Sequence, residues 1–203
     1  MQLMNRWMAL ARGIDALNSV VGRAASWLVL MAVLISAGNA VVRKAFDISS
    51  NAWLELQWYL FAAMFLLCGA YTLLKQAHVR IDLVYARWSR RTQIRIDIFG
   101  TLFFLLPMAL VSLWLTWHVF LVSFQSGEQS ANAGGLPLRP AKALMPIGFA
   151  LLALQGVAEL IKRVAFLRGV APDPVLAHAA PSEAEMIAEA AAAAGVKLPG
   201  ESR

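Results

Sequence analysis

Four long apolar runs, at 20–42, 52–74, 98–121 and 144–161, dominate the sequence. A bilayer core about 30 Å thick needs about 20 helical residues to cross it, so each run is long enough to span. A chain whose apolar residues are gathered in this way folds in lipid or not at all. The composition agrees: 60% of the 203 residues are apolar and 15% charged, against about 45–50% and about 25% in an ordinary soluble domain. That balance excludes a disordered chain, a collagen, and a nucleic-acid module carrying its basic charge on a soluble face. The fold class expected is all-α, with four transmembrane helices.

The 18 Lys and Arg residues set the orientation. Three lie at or before the start of the first run and two in the loop that follows. Six lie between the second and third runs, two between the third and fourth, and five after the fourth. Cytoplasmic flanks carry the excess positive charge, so fourteen residues against four place both termini and the middle loop inside. The net charge of +6 is thus read as topology rather than as a nucleic-acid surface. The first run exceeds the apolar core of a signal peptide, about 7–15 residues, and is expected to stay as an uncleaved helix.

Ahead of the first run, Leu3, Trp7, Leu10, Ile14, Leu17 and Val21 recur at steps of three and four, the spacing of one helical stripe. Residues 1–19 are therefore expected as an amphipathic helix lying in the cytoplasmic interface or packed on a partner, the alternative being a plain N-terminal extension of the first span. The four-span domain covers 20–168. Beyond it, 169–203 reads as a cytoplasmic tail in which Pro172 and Pro174 break the pattern and Ser182 and Glu185 open a short Ala-rich helix through a capping box.

Polar residues at membrane depth are functional candidates, and few occur. Glu55 falls in the first turn of the second span, where the helix dipole favours a carboxylate, and Gln57 and Trp58 share that end. Ser36 and Asn39 suit hydrogen bonds between helices. Gln155 and Glu159 approach the inner end of the fourth span, with Lys162 and Arg163 a turn beyond Glu159 to pair with it. Trp7, Trp27, Trp53, Trp58, Trp88, Trp114 and Trp117 fall mostly near span ends, as interfacial belts do. His118 is the one histidine well inside a span, and bis-histidine haem ligation needs two facing imidazoles. The lone Cys68 offers no disulfide, redox pair or Cys-rich zinc site. No phosphate loop, nucleophile elbow or His-Glu-x-x-His pair is present, so no catalytic, metal or cofactor residues are expected. Paired broken helices, the mark of a transporter's own substrate site, are missing too, and Pro107 stands alone in the third span.

Two segments carry a family resemblance. The stretch Gly69-Ala70-Tyr71-Thr72-Leu73-Leu74-Lys75-Gln76-Ala77-His78-Val79-Arg80-Ile81-Asp82, with Glu55 upstream, resembles the small, DctQ-type membrane subunit of tripartite ATP-independent periplasmic (TRAP) transporters. Gly134-Gly135-Leu136-Pro137, then Lys142, Pro146-Ile147-Gly148-Phe149 and Leu154-Gln155, is similar to that family's outer loop running into its fourth helix. The resemblance covers roughly 20–168.

It implies a division of labour. A periplasmic binding protein captures an organic acid, a large multi-span subunit moves it with sodium, and the small subunit enlarges the scaffold in the bacterial inner membrane, in contact with lipid and with no nucleic acid. Glu55, Gln57, Trp58, His78, Arg80, Asp82, Gly134, Gly135, Pro137, Pro146 and Gln155 become candidates for structural or subunit contacts. If helical, His78 and Asp82 share a face and can pair, fixing the link between the second and third spans. Two other classes compete. A haem-binding membrane anchor would show a Soret band, and a self-sufficient oligomeric exporter would use Glu55 as its proton site.

Overall fold

The computed structural model describes residues 2–47, 50–76 and 88–173. Four helices account for most of them: α1 (Gln2–Phe46), α2 (Asn51–Leu74), α3 (Arg90–Ser126) and α4 (Arg139–Leu167). All four are long and apolar enough to cross a membrane. The shortest, α2, has 24 residues and is about 36 Å long at 1.5 Å per residue. Among the described residues the only strand-like feature is one isolated bridge, Gln129 to Pro137.

Each helix outruns its apolar run, because hydropathy registers only the part that meets hydrocarbon. The clearest difference lies at the start of the chain, where the segment expected as a separate in-plane helix continues without a break into the first span. No proline interrupts 2–46. Its isolated glycines cost about 1 kcal/mol each relative to alanine, too little to end a helix held by tertiary contacts. Ala11, Ile14, Asn18, Ala25 and Ala32 face inward, and of the expected stripe Trp7, Leu10 and Leu17 are exposed. Between membrane helices, small side chains that let backbones approach outcompete bulk.

The centre of the bundle is α4, which packs against α1, α2 and α3. Its inward face runs through Gly148, Ala153, Gly156, Ala158 and Ala165. A Cβ at Gly148 would lie 2.9 Å from the Leu66 carbonyl oxygen and 2.9 Å from its Cβ, so α2 and α4 cross there at a distance only glycine allows. Pro146, buried two residues earlier, lacks the N–H that would bond the Lys142 carbonyl. Beside that crossing, α2 and α3 stand apart across an apolar cleft of about 650 Å³ lined by Phe65, Leu66, Leu105, Met108 and Phe149.

Within α3, Thr101–Leu105 widens into a π turn, with the Leu106 N–H on the Thr101 carbonyl. Pro107 explains it. The proline has no N–H for the Phe103 carbonyl and its ring crowds that group, so the preceding turn opens.

Candidate functional site

Polar side chains gather at the two ends of the bundle. At one end, the early turns of α1, the end of α2, the start of α3 and the end of α4 meet around four polar residues of α4. Gln155, Glu159, Lys162 and Arg163 are all buried, and their spacing of four, three and one sets them on the inward face. The charges alternate. Lys162 Nζ lies 3.1 Å from Asp15 Oδ1 and 2.5 Å from Glu159 Oε1. Arg163 Nη1 lies 3.1 Å from Glu159 Oε2, and its Nε 3.4 Å from Asp97 Oδ2. These two arginine nitrogens make no hydrogen bond, so the guanidinium is held there by charge more than by alignment.

Amides extend the cluster. Gln155 Nε2 donates to Asp15 Oδ1 at 2.9 Å and to Glu159 Oε1 at 3.3 Å, while its Oε1 accepts from Asn18 Nδ2 at 2.7 Å. From the end of α2, Gln76 Nε2 donates to Glu159 Oε2 at 3.0 Å and to the Leu73 carbonyl at 3.1 Å. Gln76 holds a left-handed backbone, φ 53°, which costs a residue with a side chain about 1–3 kcal/mol and persists where the surroundings over-determine it. Its bonds to α4 supply that constraint. The cluster therefore ties together all four helices.

At the opposite end, Glu55, just past the first turn of α2, holds the loop between α3 and α4. Its Oε1 accepts from the Ser130 hydroxyl and, at 2.8 Å, from Asn132 Nδ2; its Oε2 accepts from the Leu136 backbone N–H at 2.6 Å. Asn51 Nδ2 donates to the Ala133 carbonyl at 3.0 Å, and the Tyr59 hydroxyl to the Pro137 carbonyl at 3.2 Å. The loop closes on itself through Ser130 N–H to Leu136 O at 3.1 Å and Leu138 N–H to Glu128 O at 3.1 Å. Gly134 takes φ 69°, the left-handed turn that glycine accommodates at least cost. A Cβ at Gly135 would lie 2.8 Å from Glu55 Oε1, so glycine there lets the carboxylate in. Lys142 pairs with Glu128 beside the loop, and its ammonium, donating a hydrogen bond, holds the Glu128 carboxyl below the ordinary carboxylate range.

The structure thus brings together Glu55, Gly135 and Pro137, which the sequence places far apart. Gln57 takes no part in this lock, and Trp58 is 74% exposed on the outer surface of α2. Gln155 lies in the other cluster, and Pro146 is buried between the two. His78, Arg80 and Asp82, like the Ala-rich tail, fall outside the described residues. Sequence reasoning paired Glu159 with Lys162 and Arg163 but missed Asp15, Asn18 and Asp97. The signal was there in Asp15 and Asn18, three apart on the face that carries Ala11 and Ala25. Among the described residues, no three His, Cys, Asp or Glu side chains converge on a point where a metal ion could sit. Most of the polar groups of both clusters are spent on one another, with the buried Asn18 Oδ1 and the two Arg163 nitrogens left without a hydrogen bond.

A family model for tripartite ATP-independent periplasmic transporters, DctQ component, matches residues 31–166, about two thirds of the chain. It spans α2, α3, the Glu55-held loop and nearly all of α4. Comparisons with curated proteins and with solved structures find no match to the chain. A four-helix unit of membrane-spanning length, matched over most of that unit, belongs to the DctQ family, the small membrane component of TRAP transporters.

Proposed function

We propose that this chain is a non-catalytic scaffold subunit of a sodium-driven TRAP transporter that imports an organic acid captured by a periplasmic binding protein. The observation that carries this reading is the four-helix polar cluster around Glu159. A group that moves solute must offer it different affinities in two states, whereas here the buried charges are neutralised by neighbours in the same subunit. Such a cluster resists rearrangement, as a scaffold must. The cluster end faces the cytoplasm and the Glu55 end the periplasm, following the Lys and Arg distribution, in a bacterial inner membrane. Glu55 then serves as the clamp of a periplasmic loop. As the proton site of an exporter it would have to release the Leu136 N–H and two side-chain donors at each cycle. The exposed apolar faces meet lipid and the larger transporter subunit.

Reconstitution in vesicles tests this. The chain alone should be silent. Adding the larger subunit and the binding protein should give uptake that needs a sodium gradient and all three components. Full-rate transport without this chain would overturn the scaffold role, and solute movement by the chain alone would make it an exporter.

A further inference from the structure

The long helix α3 is two helical pieces in different registers. Ala109, Thr116 and Ser123 face inward at steps of seven, and so do Ile94 and Thr101, but the step from Thr101 to Ala109 is eight. Leu102, where the steps of seven from Ala109 would fall, is 45% exposed, whereas Thr101 is 8% exposed. One residue turns an α-helix by about 100°, so an unbroken α3 would roll its first 11 residues off the bundle. The π turn at Thr101–Leu105 takes up the extra residue, and Pro107 leaves that turn short of a hydrogen bond. Helices bend sharply at such places. Arg90–Gly100 is therefore a limb with its own bearing on the rest of α3.

Two ion pairs fasten the limb to α4 and to the chain just beyond it. One joins Asp97 to Arg163 at 3.4 Å. The other is made by the turn that ends α4. Gly169, at φ 71°, reverses the chain, with its N–H on the Phe166 carbonyl at 2.9 Å and the Val170 N–H on the Ala165 carbonyl at 3.0 Å, the bonding of a Schellman turn. Asp173 is thereby carried back to the start of α3. Both of its oxygens accept from Arg90, Oδ2 from Nε and Oδ1 from Nη2 at 2.7 Å. Arg90 Nη1 also donates to Gln93 Oε1 at 2.8 Å, which fixes the guanidinium in place. Forked pairs of this kind are strong and directional, and Asp173 is 9% exposed. Beside the limb, a cleft of about 630 Å³ lined by Leu73, Ile96, Asp97, Thr101, Met108 and Arg163 gives it room to move.

We propose that Arg90–Gly100 is a hinged limb, articulated at the π turn and latched to the exit of α4 by the Arg90–Asp173 pair. Releasing the latch swings the limb off the buried cluster, and Asp97 leaves with it. A pull on the chain beyond Asp173 thus opens Arg163 to the cleft. The device does not depend on the scaffold reading.

Distances between spin labels on the full chain test the hinge, in a Cys68→Ala background. One label sits on α1 at Gly13→Cys, where an added side chain meets nothing within 4 Å. The second sits either on the exposed side of the limb, at Arg91→Cys, or on the outer part of α3, at Val122→Cys. A bend of about 20° displaces the tip of an 11-residue limb, about 16 Å long, by about 6 Å. Asp173→Ala should therefore broaden the Arg91 distribution by about that much and leave the Val122 distribution as it is, which also reports that the bundle stays folded. Arg90→Ala should do the same, and the double variant no more. Adding Pro107→Ala to Asp173→Ala returns the missing N–H to the turn and should narrow the Arg91 distribution again. An Arg91 distribution unchanged in Asp173→Ala would overturn the latch. Equal broadening of both distributions, or broadening that survives Pro107→Ala, would overturn the hinge.

Discussion

Glu159 and Arg163 lie one helical turn apart on α4, 1% and 2% exposed, with 3.1 Å between Oε2 and Nη1. An ion pair this deep stabilises less than its Coulomb energy suggests, because both groups lose water. Removing one partner still costs stability, since the charge left behind loses its nearest counter-ion without regaining water.

Glu159→Gln should destabilise the protein by about 1–3 kcal/mol, because Lys162 and Arg163 lose the carboxylate between them and keep only their outer partners, Asp15 and Asp97. Thermal unfolding of the detergent-solubilised protein should show a clear loss. Equal stability of wild type and variant would mean that water enters the cluster freely.

Gly148→Val tests the crossing of α2 and α4. The added carbon meets the Leu66 backbone at 2.9 Å, where a helix cannot yield as a side-chain tip can. Overpacking of this kind costs about 1–3 kcal/mol. Lower thermal stability with unchanged helix content by circular dichroism is expected; a neutral substitution would mean that the two helices part easily.

How far the fold could be read in advance follows from what hydropathy detects. The four spans and their alternation were legible because lipid demands about 20 apolar residues of each helix. Glu159 with Lys162 and Arg163 was legible because turn-to-turn pairing is local. Asp15, Asn18, Gln76 and Asp97 were not: each joins the cluster across a helix crossing, and no local period encodes that. The inward face of α1 was not legible either, because Ala11, Asn18 and Ala25 set it and a hydropathy stripe weighs bulk rather than close approach.

Glu55→Ala should free the loop that its carboxylate holds. Hydrogen exchange at the Leu136 amide, which donates to Oε2 at 2.6 Å, should accelerate most, with Gln129 to Leu138 following. Glu55→Gln should fall between, because one acceptor oxygen remains. Protection unchanged in Glu55→Ala would show that the bridge between Gln129 and Pro137 closes the loop unaided.

Acid should loosen the same loop through Glu128. Its carboxyl sits below the usual value of 4.5, chiefly through the hydrogen bond from Lys142. A depressed carboxylate stabilises the native state above its unfolded value, and that contribution is lost as pH falls through the native one. Protection of the loop amides should thus decline below about pH 4.5. Glu128→Gln should flatten the decline, and an identical acid limb in the variant would assign it to another group.

Orientation is the last expectation and the one on which the periplasmic and cytoplasmic assignments depend. Ser89 precedes α3 at the cluster end, and Gly134 sits in the Glu55-held loop at the other. In a Cys68→Ala background, single cysteines at these two positions would report from opposite faces. The Lys and Arg count puts the loop between α2 and α3 inside. An impermeant thiol reagent applied to intact cells from the periplasmic side should then label Gly134→Cys and leave Ser89→Cys untouched until the membrane is opened. The glycine has φ 69°, so Gly134→Cys strains the turn. Asn132→Cys, in the same loop, serves as a second reporter at the cost of one hydrogen bond to Glu55. Labelling of Ser89→Cys alone would invert the bundle and turn the Glu55 loop to the cytoplasm.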